Sequence, residues 1–140
     1  MKLKAAMACV GMMFSCSMMA EVVVIANKEL PVDSIDKQLI SNVYLAKAFA
    51  LPDGTRLIPT ERPEDVEAKT VFHKNVTGKN LGQLKAYWAR LIFTGKNAPP
   101  NEVDDDDEVI ELVLSNKNII GYINRESVSG DVKVVLSAGE

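Results

Sequence analysis

Two cysteines, Cys9 and Cys16, and one histidine, His73, are all the thiol and imidazole groups in this 140-residue chain. A zinc site gathers three or four ligands from Cys, His and carboxylates, and a thiol nucleophile needs a base beside it. One isolated imidazole supports neither, so His73 reads as a surface or partly packed helix residue. No serine stands in a Gly-x-Ser-x-Gly elbow, which removes the common sequence signature of acyl transfer. The chain is therefore expected to be no enzyme, and no residue pattern asks for a cofactor. Aromatics are also sparse, at 6 % with a single tryptophan. Trp88 and Tyr122 fall on apolar periodic stripes and are assigned to core packing rather than to ligand platforms.

A long apolar run is missing too. Ala5 to Ala20 carries no charge behind Lys2 and Lys4. It is shorter than the ~20 predominantly apolar residues a bilayer span needs, and acidic Glu21 follows at once. A basic start, a short apolar stretch and small residues near its end form a secretory leader. Residues 1–20 are thus expected to be a cleaved signal peptide, with a periplasmic product and no stable membrane insertion. Cleavage after Ala20 removes both cysteines, so the mature chain must fold without a disulfide. Residues 21–140 amount to about one domain.

Removing Lys2 and Lys4 leaves 14 basic against 19 acidic residues, moving the formal charge from −3 to −5. Duplex binding needs clustered Lys and Arg that release counterions, and no basic stripe is read in the mature sequence, so nucleic acid is not an expected partner.

The mature chain alternates strand and helix signals. Val22 to Ala26 is a continuous, mostly β-branched run, as expected of a strand covered on both faces. Asp33 is the expected cap of a helix carrying Ile35, Leu39, Ile40, Val43 and Tyr44. Leu57-Ile58 reads as a short strand ending at Pro59. Pro63 and the acids around it read as the first turn of a helix with Val71, Phe72 and Val76 inside, closed by Gly78. Leu81 to Phe93 is a clear amphipathic helix, with Leu84, Tyr87, Trp88, Leu91 and Ile92 on one stripe. Asn97 to Glu102, holding Pro99-Pro100, is an irregular loop. The acids Asp104 to Asp107 lead into a helix with Val109, Leu112 and Val113 inward. Ile119 to Ile123 and Val132 to Leu136 are the last strands. The expected architecture is one α/β unit, a central mixed sheet flanked by helices.

Three motifs have ordinary explanations. Asp104 to Asp107 lacks the alternating ligands, central glycine and closing glutamate of an EF-hand; it suits helix capping. Thr77-Gly78-Lys79-Asn80 and Thr94-Gly95-Lys96-Asn97 lack the first glycine and the Ser or Thr of a phosphate loop; each follows a helix and fits a C-cap glycine. Arg62 beside Pro63 has more specific chemistry. A guanidinium next to a helix start can hold an oxyanion through paired hydrogen bonds, while Glu61, Glu64, Asp65 and Glu67 offer it internal partners instead.

Taken together, several stretches resemble the substrate-binding proteins of phosphate ABC transporters, in a short form of about half the usual length. They are Val22-Val23-Val24-Ile25-Ala26-Asn27, Ile35-Asp36-Lys37-Gln38-Leu39-Ile40, Leu51-Pro52-Asp53-Gly54-Thr55, Tyr87-Trp88, Leu91-Ile92-Phe93-Thr94-Gly95-Lys96 with Pro99-Pro100, Val109-Ile110-Glu111-Leu112-Val113 and Ile119-Ile120-Gly121-Tyr122-Ile123. The resemblance implies one lobe of a type-II periplasmic-binding-protein fold. It places Arg62 at the family's phosphate-binding arginine and Phe72 at the aromatic position that follows. Val66-Glu67-Ala68 stands where the family has Ser-Gly-Thr. The implied functions are binding of phosphate or another oxyanion at Arg62 during uptake or, alternatively, a lobe without ligand that docks an ABC transporter permease, another periplasmic protein or a second copy of itself.

Overall fold

Val22 to Ala26 can pack on both sides, and that property organises the molecule. The computed structural model describes residues 21–139; the expected leader, residues 1–20, lies outside them. Strand β1 (Val22–Asn27) is paired on both edges within a five-stranded sheet of order β3-β2-β4-β1-β5. It runs antiparallel to β4 (Ile119–Asn124) and β5 (Val132–Ser137). Strand β2 (Ile58–Glu61) runs parallel to β4 and to the two-residue edge strand β3 (Asn101–Glu102). The sheet is mixed, as expected.

Successive side chains of a strand leave by opposite faces, and β1 shows both destinations. Val22, Val24 and Ala26 meet Ile40, Val43 and Tyr44 of helix α1 (Lys37–Tyr44) and Ala68 and Phe72 of α2 (Glu67–Phe72). Val23 and Ile25 meet Val109 and Val113 of α4 (Asp106–Ser115). All five residues are fully buried, and each Å² of apolar surface removed from water stabilises by about 25 cal/mol. Helix α3 (Leu81–Phe93) lies to one side, where Leu84 and Trp88 pack on Leu45 at the end of α1. Its start is fixed by a capping box between Asn80 and Gln83, satisfying amides that a helix N-terminus leaves open.

Several boundaries differ from expectation. Asp36, not Asp33, caps α1, accepting from the Gln38 amide; Ile35 remains extended and donates to the Val135 carbonyl. Pro59 lies inside β2 rather than ending it. The Ile58 N–H donates to Asn118 O and the Thr60 hydroxyl donates to Ile120 O, so the pairing holds without a proline N–H. Pro63 is not in a first helical turn: a separate turn closes through Val66 N–H to Pro63 O, and α2 begins at Glu67. A π-helical turn, His73–Thr77, extends α2 to Gly78, whose φ of 71° suits glycine.

At Gly121 a Cβ would stand 2.4 Å from Val109 Cγ1 and 2.6 Å from Thr60 Oγ1. Gly121→Ala is expected to destabilise the fold by about 1–3 kcal/mol, measured as a lower urea midpoint at unchanged slope. A neutral result would show that α4 can move off the sheet freely.

Candidate functional site

Strand alternation places three consecutive polar residues in the interior. Thr60 and Arg62 face α4, and Glu61 faces α1 and α2, with Thr60 at 5 % and the other two at 3 % exposure. A buried charge is tolerable only when paired and hydrogen-bonded, and both charged groups are.

Arg62 spends its guanidinium on the protein. Nε donates to Val103 O at 2.9 Å and Nη2 to Asp104 O at 3.2 Å. Nη1 donates to Asp106 Oδ1 at 2.6 Å and more weakly to Tyr122 O at 3.4 Å. The other oxygen of Asp106 accepts from Ser127 Oγ at 2.7 Å and from the backbone and side-chain nitrogens of Asn124, both at 3.3 Å. Burial would push the Asp106 carboxyl up, but the Ser127 hydroxyl and the Arg62 guanidinium outweigh it and hold the group below its ordinary value. The internal partner of Arg62 is therefore Asp106, forty-four residues along the chain, and not Glu64, Asp65 or Glu67. Asp106 sits in the first turn of α4, just after the N-cap Asp105.

On the opposite face Glu61 organises a second polar cluster. It accepts from the Tyr122 hydroxyl and the Arg62 amide on one oxygen, and from His73 Nε2 at 2.8 Å on the other. His73 Nδ1 lies 2.9 Å from Thr77 Oγ1. His73 is thus fully buried, where a surface or partly packed helix position was expected: the strand end supplies a buried carboxylate that a lone imidazole in the sequence did not announce. Phe72 stacks on Tyr122 with centroids 4.1 Å apart and meets Tyr44 at 4.6 Å, so Tyr122 is core, as expected.

Burial also works against ionisation of Glu61, and the His73, Tyr122 and Arg62 hydrogen bonds overcome it, lowering the carboxyl below its usual 4.5. A depressed folded value gives stability that is complete above the unfolded value and lost as pH falls through the folded one. Unfolding midpoints should therefore hold from neutrality to about pH 4.5 and fall below it, with Asp106 adding to the loss below 3.8. Glu61→Gln should be less stable at pH 7 and lose less between pH 4.5 and 3. Parallel pH profiles for the two proteins would contradict this origin.

A third feature lies on the surface. Beyond the buried Lys69, the stretch from Ala68 to Asn101 carries Lys74, Lys79, Lys85, Arg90 and Lys96 at partly or fully exposed positions and has no acid, so all 19 acidic side chains lie elsewhere. Ile92 and Phe93 at the end of α3 are 56 % and 92 % exposed. A cleft of about 220 Å³ separates the Pro99-Pro100 loop from Phe49, Ile58 and Trp88. Among the described residues no cluster of His, Cys, Asp or Glu is arranged to hold a metal, and no helix is long and apolar enough to cross a membrane.

No family model and no curated protein sequence matches the chain. Solved structures do match. A phosphate ABC transporter substrate-binding protein from Clostridium perfringens, determined with bound phosphate, superposes with a TM-score of 0.66 at 20 % identity, over 83 % of this chain and 44 % of that one. An ABC-type phosphate transport receptor from Vibrio cholerae gives 0.65 at 15 % identity over 83 % and 45 %, and PstS from Borrelia burgdorferi 0.62 at 12 % over 83 % and 46 %. The chain therefore spans less than half the length of these receptors and has the fold of one of their parts.

Proposed function

We propose that the chain acts outside the cytoplasm as a non-catalytic, one-lobe binding module of the phosphate-receptor type, working in oxyanion uptake by docking onto another protein. An ABC transporter permease is the first candidate partner. The observation that carries this reading is the commitment of Arg62 to Asp106 and three carbonyls, which leaves the guanidinium buried rather than presented to solute. Val66-Glu67-Ala68 adds no hydroxyl donors nearby. The exposed Ile92 and Phe93 at the end of α3, with Lys85 lining the same cleft as Ile92, supply apolar area of the kind that marks a contact surface. A photo-crosslinking residue at Phe93 in cells is expected to give a discrete adduct that the same group at Glu111 does not. Absence of any adduct at Phe93 would remove the docking reading.

A second reading is supported by the fold shared with a receptor determined with bound phosphate: direct oxyanion reception at Arg62, with the solute displacing Asp106. Calorimetric titration of residues 21–140 with phosphate and then sulfate separates the two. Micromolar binding is about −8 kcal/mol; if present and lost in Arg62→Ala, it establishes the second reading. No heat at millimolar anion supports the first.

A further inference from the structure

Glu61, Arg62, Lys69 and His73 are the buried acidic and basic residues among those described. Glu61 pairs with His73, and Arg62 with Asp106. Lys69 of α2 has no such partner: it is 7 % exposed, and among the described residues its ammonium makes no hydrogen bond and no ion pair. A lysine that merely packs its stem leaves its head in water, and a buried charge without a partner is costly. The position therefore calls for a counter-charge from outside the chain.

Lys69 lines a cleft of about 290 Å³ with Leu81, Leu84, Trp88 and Ile92, one apolar face of α3, and with Pro99 beyond it. Glu64 and Glu102 stand on the same cleft. Glu64 lies 3.9 Å from Lys85, while the Glu102 side chain has no partner among the described residues. Arg62, Val66, Glu67 and Ala68 do not line it, so the cleft is separate from the place where the resemblance puts phosphate.

We propose that this cleft binds a free apolar α-amino acid, with its carboxylate on Lys69, its ammonium on Glu102 and its side chain against Leu84, Trp88 and Ile92. An isolated cation, a separate carboxylate and an apolar wall match the three parts of that zwitterion. Inorganic phosphate or sulfate would leave the wall unused and meet two carboxylates. The volume lies at the small end of the roughly 300–1,000 Å³ of ligand sites, as a ligand of this size requires. The site goes beyond the docking reading, with which it shares Lys85 and Ile92: the adduct at Phe93 tests docking and the titration below tests the ligand, so either can fail alone.

Trp88 is the chain's single tryptophan, so its fluorescence reports the cleft. L-Leucine added to the protein is expected to change that emission saturably at millimolar concentration or below. Isocaproate, which lacks the ammonium, and isoamylamine, which lacks the carboxylate, should each bind at least about tenfold more weakly. Lys69→Met should abolish the response and raise the melting temperature, because it removes an unpaired charge and keeps the apolar stem. Glu102→Gln should weaken leucine binding about tenfold without changing the melting temperature. No effect of leucine on the emission would overturn the proposal, as would an unchanged response in Lys69→Met. If Lys69→Met does not fold, the comparison of the three ligands on the unaltered protein decides, and equal binding of isoamylamine and leucine would overturn it.

Discussion

Replacing Arg62 by alanine is expected to destabilise the protein by about 3–5 kcal/mol, and Asp106→Ala by a comparable amount. The size follows from the environment rather than from the attraction between the charges. Arg62 and Asp106 are nearly enclosed, with side-chain exposures of 4 % and 14 %, so deleting one leaves the other desolvated and without its counter-charge. Removing Arg62 also strands the carbonyls of Val103 and Asp104. The double replacement, Arg62→Met with Asp106→Leu, should cost less than the sum of the two alanine variants, because no unpaired charge remains. Additive losses in urea unfolding would mean that the two side chains are stabilised separately by solvent.

Phe72→Ala should lower stability by about 3–5 kcal/mol, which in a domain of this size corresponds to a fall of roughly 10 °C or more in melting temperature. Phe72 is fully buried on the Glu61 side of the sheet: it stacks on Tyr122 at 4.1 Å and 3°, and it meets the His73 ring edge-on at 5.0 Å. Deleting it opens a void beside Tyr44 and frees the Tyr122 ring, whose hydroxyl holds Glu61. Phe72→Leu retains much of the volume and should cost about half as much. An alanine variant within 1 kcal/mol of the unaltered protein would show that the aromatic cluster collapses around the gap without penalty.

The elements that were legible in the sequence are those set by a strong local pattern. The Val22–Ala26 run and the Leu81–Phe93 stripe needed only hydrophobic periodicity, and both appear with their expected character. The mixed sheet and its helical layers were likewise readable, and their arrangement matches part of solved phosphate receptors. The elements that escaped depend on partners far along the chain. Asp36 and Asp33 are equally good caps by composition, and only the tie of Ile35 to Val135 selects the first. Pro63 followed by acids looks like a helix start, yet burial of Arg62 against α4 holds this segment in a turn. His73 and Glu61 are twelve residues apart, and neither has a motif that pairs them before the strand and helix are packed. Among the four acids from Asp104 to Asp107, no local feature distinguishes Asp106; its role comes from the approach of β2 and of the turn after β4.

The state of the Arg62 guanidinium tests the central claim most directly, and arginine side-chain NMR of isotope-labelled residues 21–140 reads it. The account predicts one arginine whose Nε–H exchanges slowly, whose Cζ–N rotation is hindered, which disappears in Arg62→Ala, and which does not shift with added phosphate to 10 mM. An Arg62 resonance that exchanges like a surface arginine, or that moves saturably with phosphate, would contradict it and return this residue to the role of solute ligand.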